Sequence, residues 1–410
     1  MKSASLVIGT VVLATTVLFL CNFRKPSYTA DIRALKEVVE MLSSPAFEGR
    51  NAGSAHDSTI ASAIAARMAS CGFEPYFSEG PLHRFSYRNV QSWNVVMVYR
   101  GKKTSGTLLV GAHYDHLGLG GKGSGSLRPD TIAFHPGADD NASGVSAAME
   151  AARLLKETTP RKRLKKDIIF AAFGAEEKGT IGSALLADTL DKMGALPSLM
   201  INLDMVGRLR DSLLQVGGTG TFQAADSLLD IHLAPSLPLV LKKTENGYGP
   251  SDHHVFYRAR VPVLFFSTLP HTDYHTPYDT PDKINYPGMA AIVAYVTSVA
   301  HAVVAEGFEP HYRETMDTSS LPEQVRFKVS LGVIPDFTYE GEGFCAGTVI
   351  RGRPSHKAGM EDGDVIIQVN DRPIKDIESY MDALTGLETG QLVRIVVRRN
   401  GQIIELEVQL

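Results

Sequence analysis

Apolar residues recur at helical spacing through ALKEVVEMLSS and STIASAIAARMASCGF near the start of the chain, which predicts two helices. Short apolar, β-branched runs then alternate with further helical patterns. The runs NVVMVYRG, TLLVGA, DIIFAAFG, SLMINLD and VPVLFFS read as strands. SGVSAAMEAARLLKE, GSALLADTLDKM, TFQAADSLLDIHL and GMAAIVAYVTSVAHAVV read as helices. Strands so continuously apolar must be covered on both faces, which predicts an α/β fold whose mostly parallel central sheet is sandwiched by helices. The segment HYRETMDTSSLP is polar and aperiodic, so residues 311–324 are expected to be a linker. Beyond it, residues 325–410 carry short strand-like pieces around one helical stretch, the pattern of a small β-rich domain.

The first residues change the picture in another direction. Lys2 precedes an unbroken apolar run from Ser3 to Phe23, followed by Arg24 and Lys25. This reads as a secretory signal, and at about 1.5 Å per residue it is also long enough for an uncleaved anchor across a hydrocarbon core of about 30 Å. Residues 1–25 are therefore expected to export the chain to the periplasm, the cell envelope or the medium, with residues 26–310 as the main domain. Cys21, Cys71 and Cys345 stand in three separate segments and make no disulfide framework. A net charge of -4 with acids and bases interspersed excludes a nucleic-acid footprint. The densest basic run, PRKRLKK, is expected to be a solvated helix-to-strand loop.

In open α/β sheets, ligands bind beyond the carboxyl ends of the parallel strands. The polar clusters of this chain fall there. TLLVGA runs into His113-Tyr114-Asp115-His116, DIIFAAFG into Ala175-Glu176-Glu177, and SLMIN into Asp204. VPVLFFS is followed by His271 and by Tyr274-His275, and GADDNASG leads into a helix. Two like charges at about 4 Å repel by around 4 kcal/mol at an effective dielectric near 20, so acids crowded at one sheet edge need countercharge. Neutral imidazoles cannot supply it and divalent cations can. Imidazole and carboxylate together suit zinc, and five candidate ligands around one shared carboxylate suit a pair of ions. Such a pair brings a bridging water from a pKa near 16 to about 7, roughly 12 kcal/mol of easier deprotonation. Of two adjacent glutamates, one can hold metal while its neighbour moves the proton. In His113-x-Asp115 the carboxylate can stand behind the imidazole and fix its tautomer.

The ordered motifs HYDHLG, GADDNASG, FGAEEKGTIGS, NLDMVG, SDHHVF and YHTPYDT resemble those of the co-catalytic zinc aminopeptidases of clan MH, which include bacterial leucine aminopeptidases, over about residues 32 to 305. The resemblance implies two zinc ions per chain, one on His113 and Asp204, the other on Glu177 and His275, with Asp140 bridging both. It implies peptide substrates, release of N-terminal residues by a zinc-bridged hydroxide, Glu176 as general base, and Asp115 as the partner of His113. Tyr274 matches a tyrosine that stabilises the oxyanion in some members, and His253 lies in a triplet found near the substrate pocket. Asp139, His116, His135, His254 and His271 are expected to support these residues or to face solvent. The Gly-rich stretch 118–126 lacks the marks of a phosphate loop and is expected to be a flexible rim.

The C-terminal domain resembles a PDZ domain. Ser330, Leu331, Gly332 and Val333 stand where that family's carboxylate-binding loop enters its groove strand, and SHKAGMEDGDVIIQVNDRPI follows the family pattern. The resemblance implies a peptide or C-terminus added to a sheet edge. The competing readings are a carboxypeptidase or glutaminyl cyclase of the same clan, or a non-catalytic protein that binds peptides through the PDZ-like domain.

Overall fold

The computed structural model describes residues 28–88, 90–128, 130–315, 329, 331–335, 339, 341–349, 352–376, 379–380, 383–384 and 386–410. Residues 1–25, expected to export the chain, most of the expected linker and Ser330 lie outside these residues.

Among the described residues the larger sheet has nine strands. They are β1 (Glu74–Pro75), β2 (Leu82–Tyr87), β3 (Val90–Tyr99), β4 (Thr107–His113), β5 (Asp167–Phe173), β6 (Leu199–Leu203), β7 (Leu213–Gly217), β8 (Val240–Thr244) and β9 (Val263–Ser267). The order is β1-β3-β5-β4-β6-β9-β7-β8, with β2 beside β3. At its centre β4 runs parallel to β5 and β6, and β6 runs parallel to β9. The carboxyl ends of four adjacent strands thus open on one edge. Strand β3 is antiparallel to β5, and β7 is antiparallel to β9, so the sheet is parallel only in the middle.

Successive side chains of a strand point to opposite faces, and here both faces are apolar. Leu108, Val110, Ile168 and Phe170 pack towards α1 (Ile32–Leu42), α2 (Asp57–Ser70), α3 (Gly144–Thr158), α5 (Ala225–His232) and α7 (Tyr286–His301). Leu109, Ile169 and Phe173 pack towards α4 (Ile181–Lys192) and α6 (His253–Arg258). This is the predicted sandwich. Helix α1 begins where the Asp31 side chain accepts from the amides of Arg33 and Ala34, and buries Leu35, Val38, Val39 and Leu42. Helix α7 and its continuation to Glu306 are long and apolar enough to cross a membrane, but this segment is a core helix packed on α3. The basic run before β5 is less solvated than expected, because Lys166 is buried and pairs with Glu309 at 2.7 Å.

The second sheet is antiparallel: β10 (Val333–Pro335), β11 (Phe344–Val349), β12 (Val365–Val369), β14 (Leu392–Arg399) and β15 (Gln402–Gln409), with β13 (Arg372–Pro373) on β12. It has its own core around Leu331, Phe344, Ile366, Val393, Ile395 and Val397. The buried Asp364 carboxylate pairs there with Arg399 at 2.6 Å.

Candidate metal centre

Each candidate ligand reaches the open edge by a local device. His113 is the last residue of β4. Ala175, left-handed at φ 59°, turns the chain after β5 so that Glu176 and Glu177 follow, and Met205, at φ 55°, turns it just after Asp204. His275 is itself left-handed, at φ 53°. Such non-glycine conformations cost about 1–3 kcal/mol each and concentrate at functional sites, where the surroundings hold them. Asp140 lies in the turn ahead of α3. The amides of Asp139 and Asp140 donate to one Asp279 oxygen at 2.9 and 3.0 Å, while Ser143 Oγ and the Gly207 amide hold Asp139 Oδ1 at 2.9 and 2.7 Å.

The five candidates converge. His113 Nε2 lies 3.3 Å from Asp140 Oδ1 and 3.5 Å from Asp204 Oδ1. His275 Nε2 lies 3.0 Å from Asp140 Oδ2 and 3.2 Å from Glu177 Oε2. Nitrogen and oxygen ligands about 2.0–2.2 Å from a tetrahedral ion stand about 3.3–3.6 Å from one another, which the two His113 separations match, while the two at His275, 3.0 and 3.2 Å, are shorter, as in direct imidazole–carboxylate pairs. Asp140 offers one oxygen to each imidazole. Asp204 Oδ1 is buried with no hydrogen-bond partner, an orphaned acceptor facing where a cation would stand. Glu176 Oε2 stands 4.0 Å from His113 Nε2, and Glu176 belongs to neither of the candidate metal-holding groups among the described residues.

Asp115 departs from its expected contact. Its carboxylate is 3.8 Å from His113 Nδ1, which lies closer, at 3.2 Å, to the Asp115 carbonyl. The carboxylate instead accepts from the amides of Glu176, at 2.9 Å, and Glu177, at 3.3 Å, fixing both glutamates at the strand end. The Tyr274 ring stacks on His275 with centroids 3.8 Å apart. His253 is buried and stacked on Phe265 at 4.3 Å. In the PDZ-like loop Leu331 is buried, Gly332 is left-handed at φ 78°, and Val333 opens β10 opposite Val349.

Two supports gain their partners only in the structure. Of the two readings for His116, support or solvent, the structure takes the first: it is buried, with Nδ1 2.8 Å from Glu177 Oε1 and 3.8 Å from Asp140 Oδ2. The shorter distance is a hydrogen bond, and it engages the glutamate oxygen not turned to His275. The Gly-rich rim, expected to be flexible, also holds a candidate ligand. Gly125 accepts from His275 Nδ1 at 3.1 Å and the Leu127 amide donates to the His275 carbonyl at 2.9 Å, which leaves the Nε2 lone pair free to ligate.

The electrostatics follow from this crowding. Burial disfavours a charged His113, but Asp204 and Glu176 outweigh it and hold the imidazole well above its ordinary pKa. Burial likewise opposes a charged His275, and Glu177 and Asp140 raise it well above. Against burial, His113 and His275 hold Asp140 well below the carboxylate range, and His275 draws Glu177 down to about 2. Burial pushes Glu176 well above, with Asp252, Glu177 and Asp204 adding to the rise and His113 opposing it. Burial also pushes Asp115 up to about 7. Without metal, the carboxylates thus favour the protonated form of both imidazoles, whose charge then stands where a cation's would.

Metal ligands must be deprotonated to bind, so zinc uptake at pH 7 should release up to about two protons per chain, and affinity should fall as pH drops. The sign for stability is opposite. The raised imidazoles stabilise the metal-depleted fold fully below about pH 6.5, and this contribution is lost as pH rises through their folded values. Calorimetric titration with zinc in two buffers of different ionisation enthalpy measures the release; identical heats would contradict it.

The pattern of Peptidase family M28 matches residues 94–300, and that of the PDZ domain matches residues 331–410. Aminopeptidase YwaD of Bacillus subtilis is 29% identical over 248 residues, covering 57% of this chain and 49% of YwaD. This chain therefore spans about half the length of that relative. Among solved structures, BSAP, a zinc aminopeptidase from Bacillus subtilis, superposes with a TM-score of 0.54 at 19% identity over 68% of this chain and 97% of its own. Porphyromonas gingivalis glutaminyl cyclase does so with a TM-score of 0.55 at 18% identity over 67% of this chain and 99% of its own. At these identities the superpositions establish a shared fold, and the family rests on the sequence match across half of the chain: this protein is a member of peptidase family M28 that carries a C-terminal PDZ domain.

Proposed function

We propose that this chain is a two-zinc aminopeptidase that removes N-terminal residues from peptides. The observation that carries the reading is Asp140, with one oxygen 3.3 Å from His113 Nε2 and the other 3.0 Å from His275 Nε2. On this reading His113, Asp140 and Asp204 hold one ion, and Asp140, Glu177 and His275 hold the other. Bound there, the pair would polarise the scissile carbonyl and lower the pKa of a water between them to about 7. Glu176 takes a proton from the attacking water and delivers it to the leaving amine. Asp115 keeps Glu176 and Glu177 apart in role by holding both their amides. The Tyr274 hydroxyl donates to the negative oxygen that develops on the substrate carbonyl.

The fold shared with a glutaminyl cyclase does not choose the reaction, and a carboxypeptidase would use a similar centre, so the assay must. Chain lacking residues 1–25 is analysed for metal and assayed on aminoacyl nitroanilides and on the same peptides with a blocked amino terminus. About two zinc ions per chain and chelator-sensitive release from free N-termini alone are expected. Cleavage of blocked peptides from their carboxyl end, or no hydrolysis by metal-replete protein, would overturn the assignment.

On the same reading residues 26–310 form the catalytic domain and residues 325–410 a PDZ domain that captures a peptide or C-terminus along β10 beside Leu331, Gly332 and Val333. Residues 1–25 export the enzyme and can anchor it at a membrane, because the Ser3–Phe23 run has the length and composition for either.

A further inference from the structure

We infer that Arg50 is a positioning residue of the metal centre, one that holds the main chain carrying Asp140 and His113 in place from behind and supplies the site's buried permanent positive charge. The inference rests on the two-metal reading above.

Arg50 is 1% exposed and the largest of the fully buried side chains. Its hydrogen bonds all go to main-chain carbonyls. Nε donates to Tyr114 at 2.7 Å, Nη1 to Leu42 at 2.8 Å and Pro136 at 2.6 Å, and Nη2 to Gly137 at 2.8 Å and Asp140 at 3.4 Å. A guanidinium has five N–H donors in a rigid fork, and five carbonyls receive them. Tyr114 lies between His113 and Asp115. Pro136, Gly137 and Asp140 make up the turn that presents the shared carboxylate, and Leu42 closes α1. One side chain therefore joins the end of β4, the Asp140 turn and the first helix.

The chain accepts strain to bring this side chain in. Glu48, Gly49 and Arg50 are consecutive left-handed residues, at φ 45°, 73° and 54°. Two of the three are not glycine, so the turn costs free energy that its contacts must offset. The segment runs beside the residues that follow His113: the His116 amide donates to the Arg50 carbonyl at 3.0 Å and the Gly118 amide to the Gly49 carbonyl at 2.9 Å. A Cβ on Gly49 would fall 2.3 Å from the Gly118 carbonyl oxygen, so glycine is required for the approach.

The charge has a purpose at this position. A buried cation surrounded only by carbonyls is costly unless anions lie nearby. Burial pushes Arg50 down to about 10, still charged at neutral pH, and the anions that offset burial are Asp140, Asp279, Asp115 and Glu177. Asp115 and Asp279 belong to neither donor set, so metal does not neutralise them directly. Arg50 touches Asp140 at its main-chain carbonyl and acts on the four carboxylates through their field.

The test uses the full-length chain in detergent and reads zinc affinity by competition with a chromogenic chelator, alongside kcat. Partners behind first-row ligands change metal affinity or activity by about 10–100-fold, and Arg50→Ala should weaken the looser zinc by that much and lower kcat in step. Millimolar guanidinium, which can refill the emptied cavity, should recover a measurable part of both, whereas methylammonium at equal concentration should not. Arg50→Lys keeps a charge without the fork and should fall between wild type and Arg50→Ala. Folded Arg50→Ala with wild-type zinc affinity would overturn the inference. So would a loss that guanidinium leaves unchanged in a variant of native circular dichroism. Should Arg50→Ala not fold, Arg50→Lys decides: wild-type affinity in that variant overturns the proposal. Wild-type protein that binds zinc yet cleaves no peptide would refute the aminopeptidase reading alone, while absence of zinc binding would refute both.

Discussion

Glu176→Gln should leave both zinc ions bound and remove nearly all turnover, by about 10²–10⁴-fold, the usual contribution of a positioned general base. Glutamine keeps the shape of the side chain and the main-chain hydrogen bond from the Glu176 amide to Asp115 Oδ1 at 2.9 Å, so the strand end is undisturbed. It cannot accept and return a proton. Glu176 Oε2 stands 4.0 Å from His113 Nε2, farther than the oxygens of Asp140 and Asp204, and shares a donor set with none of the candidate ligands. Loss of zinc from Glu176→Gln would make Glu176 a ligand and reverse the roles assigned to the two glutamates. Activity within a few fold of wild type would remove it from the chemistry.

Asp140→Ala should have the opposite signature, in which activity disappears because metal does. Among the described residues Asp140 is the one carboxylate paired with both imidazoles, at 3.3 Å from His113 Nε2 and 3.0 Å from His275 Nε2. Without it each ion is left with one imidazole and one carboxylate, short of the three protein ligands typical of a catalytic zinc. Zinc should fall from about two to well below one per chain, and added zinc should not restore turnover. The neighbouring Asp139→Asn is the control. Asp139 Oδ1 accepts from Ser143 and the Gly207 amide, its Oδ2 lies 3.1 Å from His271 Nε2, and it reaches neither candidate ion. Asp139→Asn should keep both zinc ions. Retention of full zinc by Asp140→Ala, measured by elemental analysis after gel filtration, would refute the bridge.

The sequence carried the fold because its signal is local. Leu108 to Ala112 and Ile168 to Phe173 are apolar without a break because helices cover both faces, so the buried parallel strands stood out. The strands not recognised lie away from that centre. In β2, LHRFSY buries only Phe85 fully, and β8, VLKKT, is nowhere fully buried, so polar side chains mask their pattern. Strand β7, LLQVG, is well buried, but the buried Gln215 interrupts its apolar run and Gly217 ends it.

The sequence by itself marked which residues reach the site: His113 ends β4, Asp204 follows β6, and Glu176 and Glu177 follow β5 after two intervening residues, on strands whose parallel order puts their ends together. It also set the M28 and PDZ patterns in separate stretches, residues 94–300 and 331–410. Only the tertiary structure decided what holds those residues: Arg50 across 90 positions to Asp140, Asp279 across 139 to the same residue, and Gly125 across 150 to His275. It alone showed His116 bonded to Glu177, and the Asp115 carboxylate accepting from the two glutamate amides while lying 3.8 Å from His113 Nδ1. The reason is physical. Periodicity reports which face of an element is buried, whereas a hydrogen bond between distant segments depends on side-chain direction and on a chain path that no local pattern encodes.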